Sequence, residues 1–156
     1  MIWELKYRGN LVVAKICGEV IYEFLLNKEK NVEKIILIPI PLSTQRRRER
    51  GFNQNELVIN AILKLDKESN NNYFECDFIS LIKSRHTVPQ SKTKSRKERL
   101  VNVQNCFEAV DNSKIMGREV ILIDDVVTTG TTVKEAMKVL KSAGVKSVKC
   151  VALAHG

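Results

Sequence analysis

The run Val120-Ile-Leu-Ile-Asp-Asp-Val-Val-Thr-Thr-Gly-Thr-Thr132 decides how the rest of the chain is read. Residues 120–123 are apolar without a break, the pattern of a strand buried on both faces of a parallel sheet. Asp124 and Asp125 follow at the carboxyl end of that strand, where open α/β sheets bind their ligands. Residues 128–132, all Thr except Gly130, then lead into a helical pattern from Val133. Taken singly, an Asp-Asp pair is a solvated turn and a Thr-Gly is a helix cap. The order of the parts carries the signal. Adjacent carboxylates repel and need partners, and a Thr/Gly loop does little for packing. Together they make a cradle for a phosphorylated sugar. The carboxylates accept hydrogen bonds from two neighbouring hydroxyls, and the loop's N–H groups hold a phosphate at a helix N-terminus.

The flanking sequence supplies the rest of an α/β domain. Residues 10–26 read as a helix, with Leu11, Val12, Ile16, Val20 and Phe24 near helical spacing and Lys15 four residues before Glu19. Residues 34–40 read as a buried strand, ended by Pro39 and Pro41. Residues 41–50 read as a basic loop. A second helix is expected over residues 52–67, with Leu57, Ala61, Ile62 and Leu65 as its core face. Strands are expected at 77–82, 106–110, 119–123 and 147–153, and a helix at 133–143 with Gly144 as a left-handed cap. Residues 83–104 are long, basic and poor in apolar side chains, and a loop of that kind is usually functional or disordered. The order predicts one α/β domain over residues 1–156, with a mostly parallel central sheet flanked by helices.

Bulk properties narrow the partners. At 156 residues the chain can bury a normal core, and no apolar run approaches the ~20 residues that span a bilayer. The N-terminus lacks the apolar region of a signal peptide, so a cytoplasmic location without membrane insertion is expected. Cys17, Cys76, Cys106 and Cys150 are widely spaced and read as single thiols in a reducing compartment, not as a zinc site. The net charge of +8 is concentrated in Arg46, Arg47, Arg48 and Arg50, and again in Lys83, Arg85, Lys92, Lys94, Arg96, Lys97 and Arg99. Such clusters suit nucleic acid or a phosphate-rich small ligand.

Residues 120–132 are similar to the 5-phosphoribosyl-1-pyrophosphate motif of type I phosphoribosyltransferases. Leu5-Lys-Tyr-Arg-Gly9, Ile38-Pro-Ile-Pro-Leu-Ser43 and Glu49-Arg-Gly-Phe-Asn-Gln54 resemble blocks of the competence protein F (ComF) family. Arg85, Thr87, Gln90, Arg99, Asn102 and Phe107 fall in the order of a further block. Members of that family usually carry a cysteine-rich, zinc-binding segment before the Lys-Tyr-Arg-Gly motif, and this chain starts just before the motif.

The resemblance implies roles. Asp124 and Asp125 would hold the ribose hydroxyls and stabilise positive charge developing on the ring. Val126, Thr128, Thr129, Gly130, Thr131 and Thr132 would complete the sugar-phosphate site, with Gly130 allowing close backbone approach. Leu42, Ser43, Arg46 and Arg50 would face the pyrophosphate, Arg50 being the stronger candidate. Residues 85–99 would form the family's flexible hood, with Arg85, Gln90, Arg96, Arg99 and Asn102 as its candidate contacts. Magnesium is expected through diphosphate oxygens, with no protein ligand assigned. No general base stands out, since His86 is a lone loop histidine.

The leading expectation is an enzyme that transfers the phosphoribosyl group to a nitrogen acceptor with release of pyrophosphate. Two alternatives remain open. One is a non-catalytic competence module that binds single-stranded DNA and other competence proteins, although Trp3, Tyr7 and Tyr73 do not read as a stacking series. The other is a regulator that senses 5-phosphoribosyl-1-pyrophosphate. A homodimer is expected by analogy with other type I enzymes.

Overall fold

The structure is a computed structural model and describes residues 1–28, 34–84 and 106–156. In chain order these form α1 (Ile2–Arg8), α2 (Leu11–Lys28), β1 (Ile35–Pro39), α3 (Thr44–Arg50), α4 (Gln54–Glu68), β2 (Phe74–Cys76), β3 (Leu81–Lys83), β4 (Phe107–Ala109), β5 (Glu119–Val127), α5 (Thr131–Ser142) and β6 (Ser147–His155). Four strands make a parallel sheet in the order β2-β1-β5-β6. This is the expected α/β architecture with a parallel central sheet.

Strand alternation divides the core in two. Ile35, Leu37, Ile121 and Ile123 pack with Leu5, Cys17, Ile21, Leu25, Val58, Ile59 and Ile62 on the face covered by α1, α2 and α4. Ile36, Ile38, Val120 and Leu122 pack with Ala136 and Leu140 of α5 on the other. Both faces are therefore dry, as the unbroken apolar runs require. Asp66 closes the α4 end. Its buried carboxylate accepts from the backbone N–H groups of Tyr73 and Phe74 and from the Tyr22 hydroxyl, which anchors the start of β2.

Several local expectations are corrected. Residues 41–50 contain the helix α3 in place of a loop, because Ser43 caps Arg46 N and Gly51 closes the helix at a φ of 79°. The strand expected at 77–82 is confined to its last two residues, with a turn over 77–80. Asp77 folds an Asx turn by accepting from Ile79 N and Ser80 N, so β2 ends before it and β3 starts after it. β3 pairs antiparallel with β4 in a separate two-stranded sheet, and Ser84 N donates to Cys106 O at 3.0 Å. The stretch joining them, and with it the hood candidates Arg85, Gln90, Arg96, Arg99 and Asn102, lies outside the described residues. On α4 the buried apolar face is Val58, Ile59 and Ile62, one step around from the face expected.

The largest correction is on α2. Leu11, Val12, Ile16, Val20 and Phe24 are exposed, and Ala14, Cys17, Gly18, Ile21, Tyr22 and Leu25 are buried. Small residues face inward because α2 packs very close to α4. A Cβ added at Gly18 would stand 2.7 Å from Ala61 Cβ. Among the described residues no helix is long and apolar enough to cross a membrane. The four cysteines are free, and burial raises the pKa of each thiol.

The α2–α4 contact gives a first test. Gly18→Ala improves helix propensity yet should destabilise the fold by about 1–3 kcal/mol through overpacking. Pairing it with Ala61→Gly should restore most of the loss in a denaturant titration. Equal stability of Gly18→Ala and wild type would show that the helices can part.

Candidate functional site

The site lies where β1 stops and β5 continues. The β1–β5 ladder ends at Pro39 opposite Ile123, with Ile40 N donating to Ile123 O at 2.9 Å. β6 stays paired with β5 beyond that point, through Asp124 opposite Ala152 to Val127 opposite His155. The acidic pair is therefore inside the strand, not after its end as the sequence suggested. One edge of that strand segment is released from β1. Asp124 and Asp125 are both buried, at 9% and 4% exposure, so they must be satisfied by the protein or by a ligand.

Side chains from two other segments meet them. Lys6 of α1 places its Nζ 3.0 Å from Asp125 Oδ2, and Gln54 Nε2 donates to the same oxygen at 3.2 Å. Asn55 Nδ2 donates to Asp124 Oδ1 at 3.3 Å, and Asp125 N donates there at 2.9 Å. Gln54 and Asn55 open α4, so the positive end of its dipole also faces the carboxylates. Asn53 and Asn55 donate to Ile40 O and clamp the chain leaving β1. Among the described residues no hydrogen bond reaches Asp124 Oδ2 or Asp125 Oδ1. Each carboxylate thus has, among the described residues, one oxygen held by protein and one that accepts from none of them.

The two acids are not equivalent. Burial, and then the charge of Asp125, push the Asp124 pKa up to about 6 against the partial relief of its hydrogen bonds and Lys6. Across the strand, burial and the nearby Asp124 charge push the Cys150 thiol up to about 12.

Val126 and Thr128 to Thr132 continue from this edge as expected. Val126 is half-buried, while Thr128 and Thr129 are exposed. Gly130 takes a φ of 71° and precedes α5, whose N-terminus has no side-chain cap and no acidic residue in its first turn. The hydroxyls of Thr129 and Thr131 lie 3.0 Å apart. This end of α5 can bind an anion through backbone N–H groups and the dipole.

On the other side, α3 sorts its arginines. Arg47 pairs with Glu56, and Arg48 is exposed. Arg50 donates to Gln54 Oε1 at 3.0 Å, and its guanidinium lies 5.2 Å from the centre of the Tyr7 ring. It is thus tied to the acidic pair through Gln54. Arg46 is half-buried, Leu42 is half-buried, and Ser43 is buried as the cap of α3. A cavity of about 460 Å³ is lined by Thr44, Gln45, Arg48, Glu49, Lys83 and Ser84. Burial lowers the Lys83 pKa, and the neighbouring Arg46 charge adds to the effect. Among the described residues no cluster of His, Cys, Asp and Glu could hold a metal ion.

The phosphoribosyl transferase domain family matches residues 30–156. The chain belongs to that family. It is 35% identical over 160 residues to competence protein F of Haemophilus influenzae, covering 99% of this chain and 66% of that protein. It is 30% identical over 154 residues to the DNA utilization protein YhgH of Escherichia coli, covering 96% and 63%. The chain spans about two thirds of the length of these relatives. The resemblance to the competence protein F family therefore holds. A hypoxanthine phosphoribosyl transferase of Trypanosoma cruzi superposes with a TM-score of 0.51 at 16% identity, over 93% of this chain and 64% of the other, which is a likeness of fold.

Within the family's fold the two short N-terminal blocks converge on the acidic pair. Lys6 binds Asp125, Tyr7 stacks with Arg50, and Gly9 leaves room for the Phe52 ring, which a Cβ would approach to 3.1 Å. Sequence reasoning quoted those blocks but assigned no role to Lys6, Gln54 or Asn55, and it placed Lys83 only in a basic cluster. Their signal was present in the blocks; their partners were not.

The raised Asp124 pKa predicts a pH effect. The folded carboxyl titrates near 6 against an ordinary 3.8, so the folded state binds the proton more tightly. Its contribution to stability is complete below about pH 4 and is lost as pH rises through 6. Asp124→Asn should therefore stabilise the ligand-free protein at pH 8 by roughly 2 kcal/mol, or about 4–8 °C in Tm, with the gain gone at pH 4. A Tm no higher than wild type at pH 8 would show that the carboxylate is not penalised by burial.

Proposed function

We propose that the protein binds 5-phosphoribosyl-1-pyrophosphate at this edge and transfers its phosphoribosyl group to a nitrogen acceptor. The observation that carries the reading is the pair of carboxylate oxygens that accept from no described residue, beside an anion-binding helix start. Two vicinal ribose hydroxyls would donate to Asp124 Oδ2 and Asp125 Oδ1. The 5-phosphate would rest on the N–H groups and hydroxyls of the 128–132 loop at the start of α5. The pyrophosphate would face Arg46, Arg50 and the end of β1.

In the reaction the C1–oxygen bond to pyrophosphate breaks and a C1–nitrogen bond forms. Pyrophosphate leaves with the electron pair, and the acceptor nitrogen gives up a proton. The carboxylates would stabilise positive charge growing on the ring. Lys6 would hold Asp125 in place for that role. Magnesium would arrive with the diphosphate and bind through its oxygens. When bound, the ion would neutralise charge on the leaving group. The free thiols suit a reducing, cytoplasmic setting.

Calorimetry with 5-phosphoribosyl-1-pyrophosphate and magnesium should give micromolar binding, lost by roughly a hundredfold or more in Asp125→Ala as a charge-assisted contact and its ion pair disappear. Pyrophosphate release in a panel of bases, amines and ammonia should then identify the acceptor. Unchanged affinity in Asp125→Ala would place the sugar elsewhere.

One observation favours a second role on the same surface, binding of single-stranded DNA. Trp3 and Tyr7 lie side by side with ring centres 5.5 Å apart and planes tilted by 37°, a pair without Tyr73. Arg8 lies over Trp3 and Arg50 over Tyr7, so two exposed rings stand between two cations beside the site. Such rings stack bases without sequence preference. Oligonucleotide anisotropy should show affinity that falls steeply with salt and drops roughly tenfold on Trp3→Ala. A flat salt dependence would remove this role.

A further inference from the structure

Helix α2 is apolar on both sides. Its inner side is filled by Ala14, Cys17, Gly18, Ile21 and Leu25. Its outer side presents Val12, Ile16, Val20 and Phe24, at 68%, 45%, 58% and 47% exposure. A contiguous apolar stripe left exposed on a folded domain marks an interaction surface. These four residues recur every fourth position and form one ridge along the helix. The parallel ridge beside it carries Lys15, Glu19 and Glu23, with Lys15 and Glu19 3.8 Å apart.

We propose that α2 is the interface for a second copy of this chain, packed antiparallel about a twofold axis between Ile16 and Val20. The charge pattern selects this occupant. In an antiparallel pair, position 12 faces 24 and position 16 faces 20, so the apolar ridges match end to end. The flanking ridges then bring Lys15 of each copy to Glu23 of the other, two equivalent ion pairs as an isologous contact demands. In a parallel pair the two charged ridges would lie on opposite flanks of the seam, and the Lys15–Glu23 ion pairs would not form. Near the axis Glu19 meets its own symmetry mate, and its bond to Lys15 spreads that charge. The stripe lies on the side of α2 away from the buried Ala14, Gly18 and Leu25.

Light scattering on size-exclusion peaks, from low to high micromolar concentration, tests the proposal. Wild type should dimerise. Ile16→Lys should raise the dimer Kd by about a hundredfold while leaving the circular dichroism spectrum and 5-phosphoribosyl-1-pyrophosphate binding unchanged, because Ile16 touches neither core nor site. Lys15→Glu should weaken the dimer roughly tenfold, and Lys15→Glu with Glu23→Lys should recover it. Glu19→Gln should tighten it by removing the like-charge contact on the axis. A monomeric wild type overturns the proposal, as does a dimer that tolerates Ile16→Lys, which would use another face. Failure of the charge swap to rescue Lys15→Glu overturns the antiparallel register.

Discussion

Two adjacent carboxylates buried inside a central strand, just past the point where its neighbour β1 stops, are the constraint around which the rest of this structure is arranged. Removing charged groups from water costs several kcal/mol per ion unless they are paired and hydrogen-bonded. The fold meets that cost from three directions. A short N-terminal helix brings Lys6 across the sheet edge. The start of α4 brings Gln54 and Asn55, together with the positive end of its dipole. The strand itself brings the Asp125 N–H. Gly9, Phe52 and Asn53 serve the same end one step removed, by letting α1, α4 and the end of β1 approach closely enough for those contacts.

The compensation is uneven, and the unevenness bears on chemistry. Asp125 has a cation and an amide, while Asp124 has neutral donors and holds its proton to about pH 6. A ligand that donates hydroxyls to both would complete what the protein leaves incomplete. Its anionic groups would be repelled from the acids and drawn to the capless start of α5 and to the α3 arginines, which flank them. The electrostatics thus favour a molecule with a hydroxylated middle and anionic ends.

Much of this was legible in residues 120–132. A four-residue apolar run followed by an acidic pair and a Thr/Gly loop reads as a strand covered on both faces, and Gly130 and Gly144 marked the bounds of α5 with the left-handed geometry their positions required. Other elements misled for identifiable reasons. Periodicity on α2 located a helix but not its buried side, because both sides are apolar and the choice was made by the fit of Gly18 against Ala61. The arginine run at 46–50 looked like a loop because charge hid a helix whose signals are Ser43 and Gly51. Asp77 sat in an apolar context and was read as strand, whereas its side chain folds the backbone into a turn.

The sequence by itself determined the parallel sheet, the presence of an acidic pair on its long strand and the loop that follows it, because these depend on local pattern and on neighbours within a few residues. Only the tertiary structure decided which groups satisfy the acids. Lys6 and Asp125 are 119 positions apart, and Gln54 is 71 from the same carboxylate. No periodicity connects such positions. They meet because β5 outruns β1 and exposes an edge that α1 and α4 must cover.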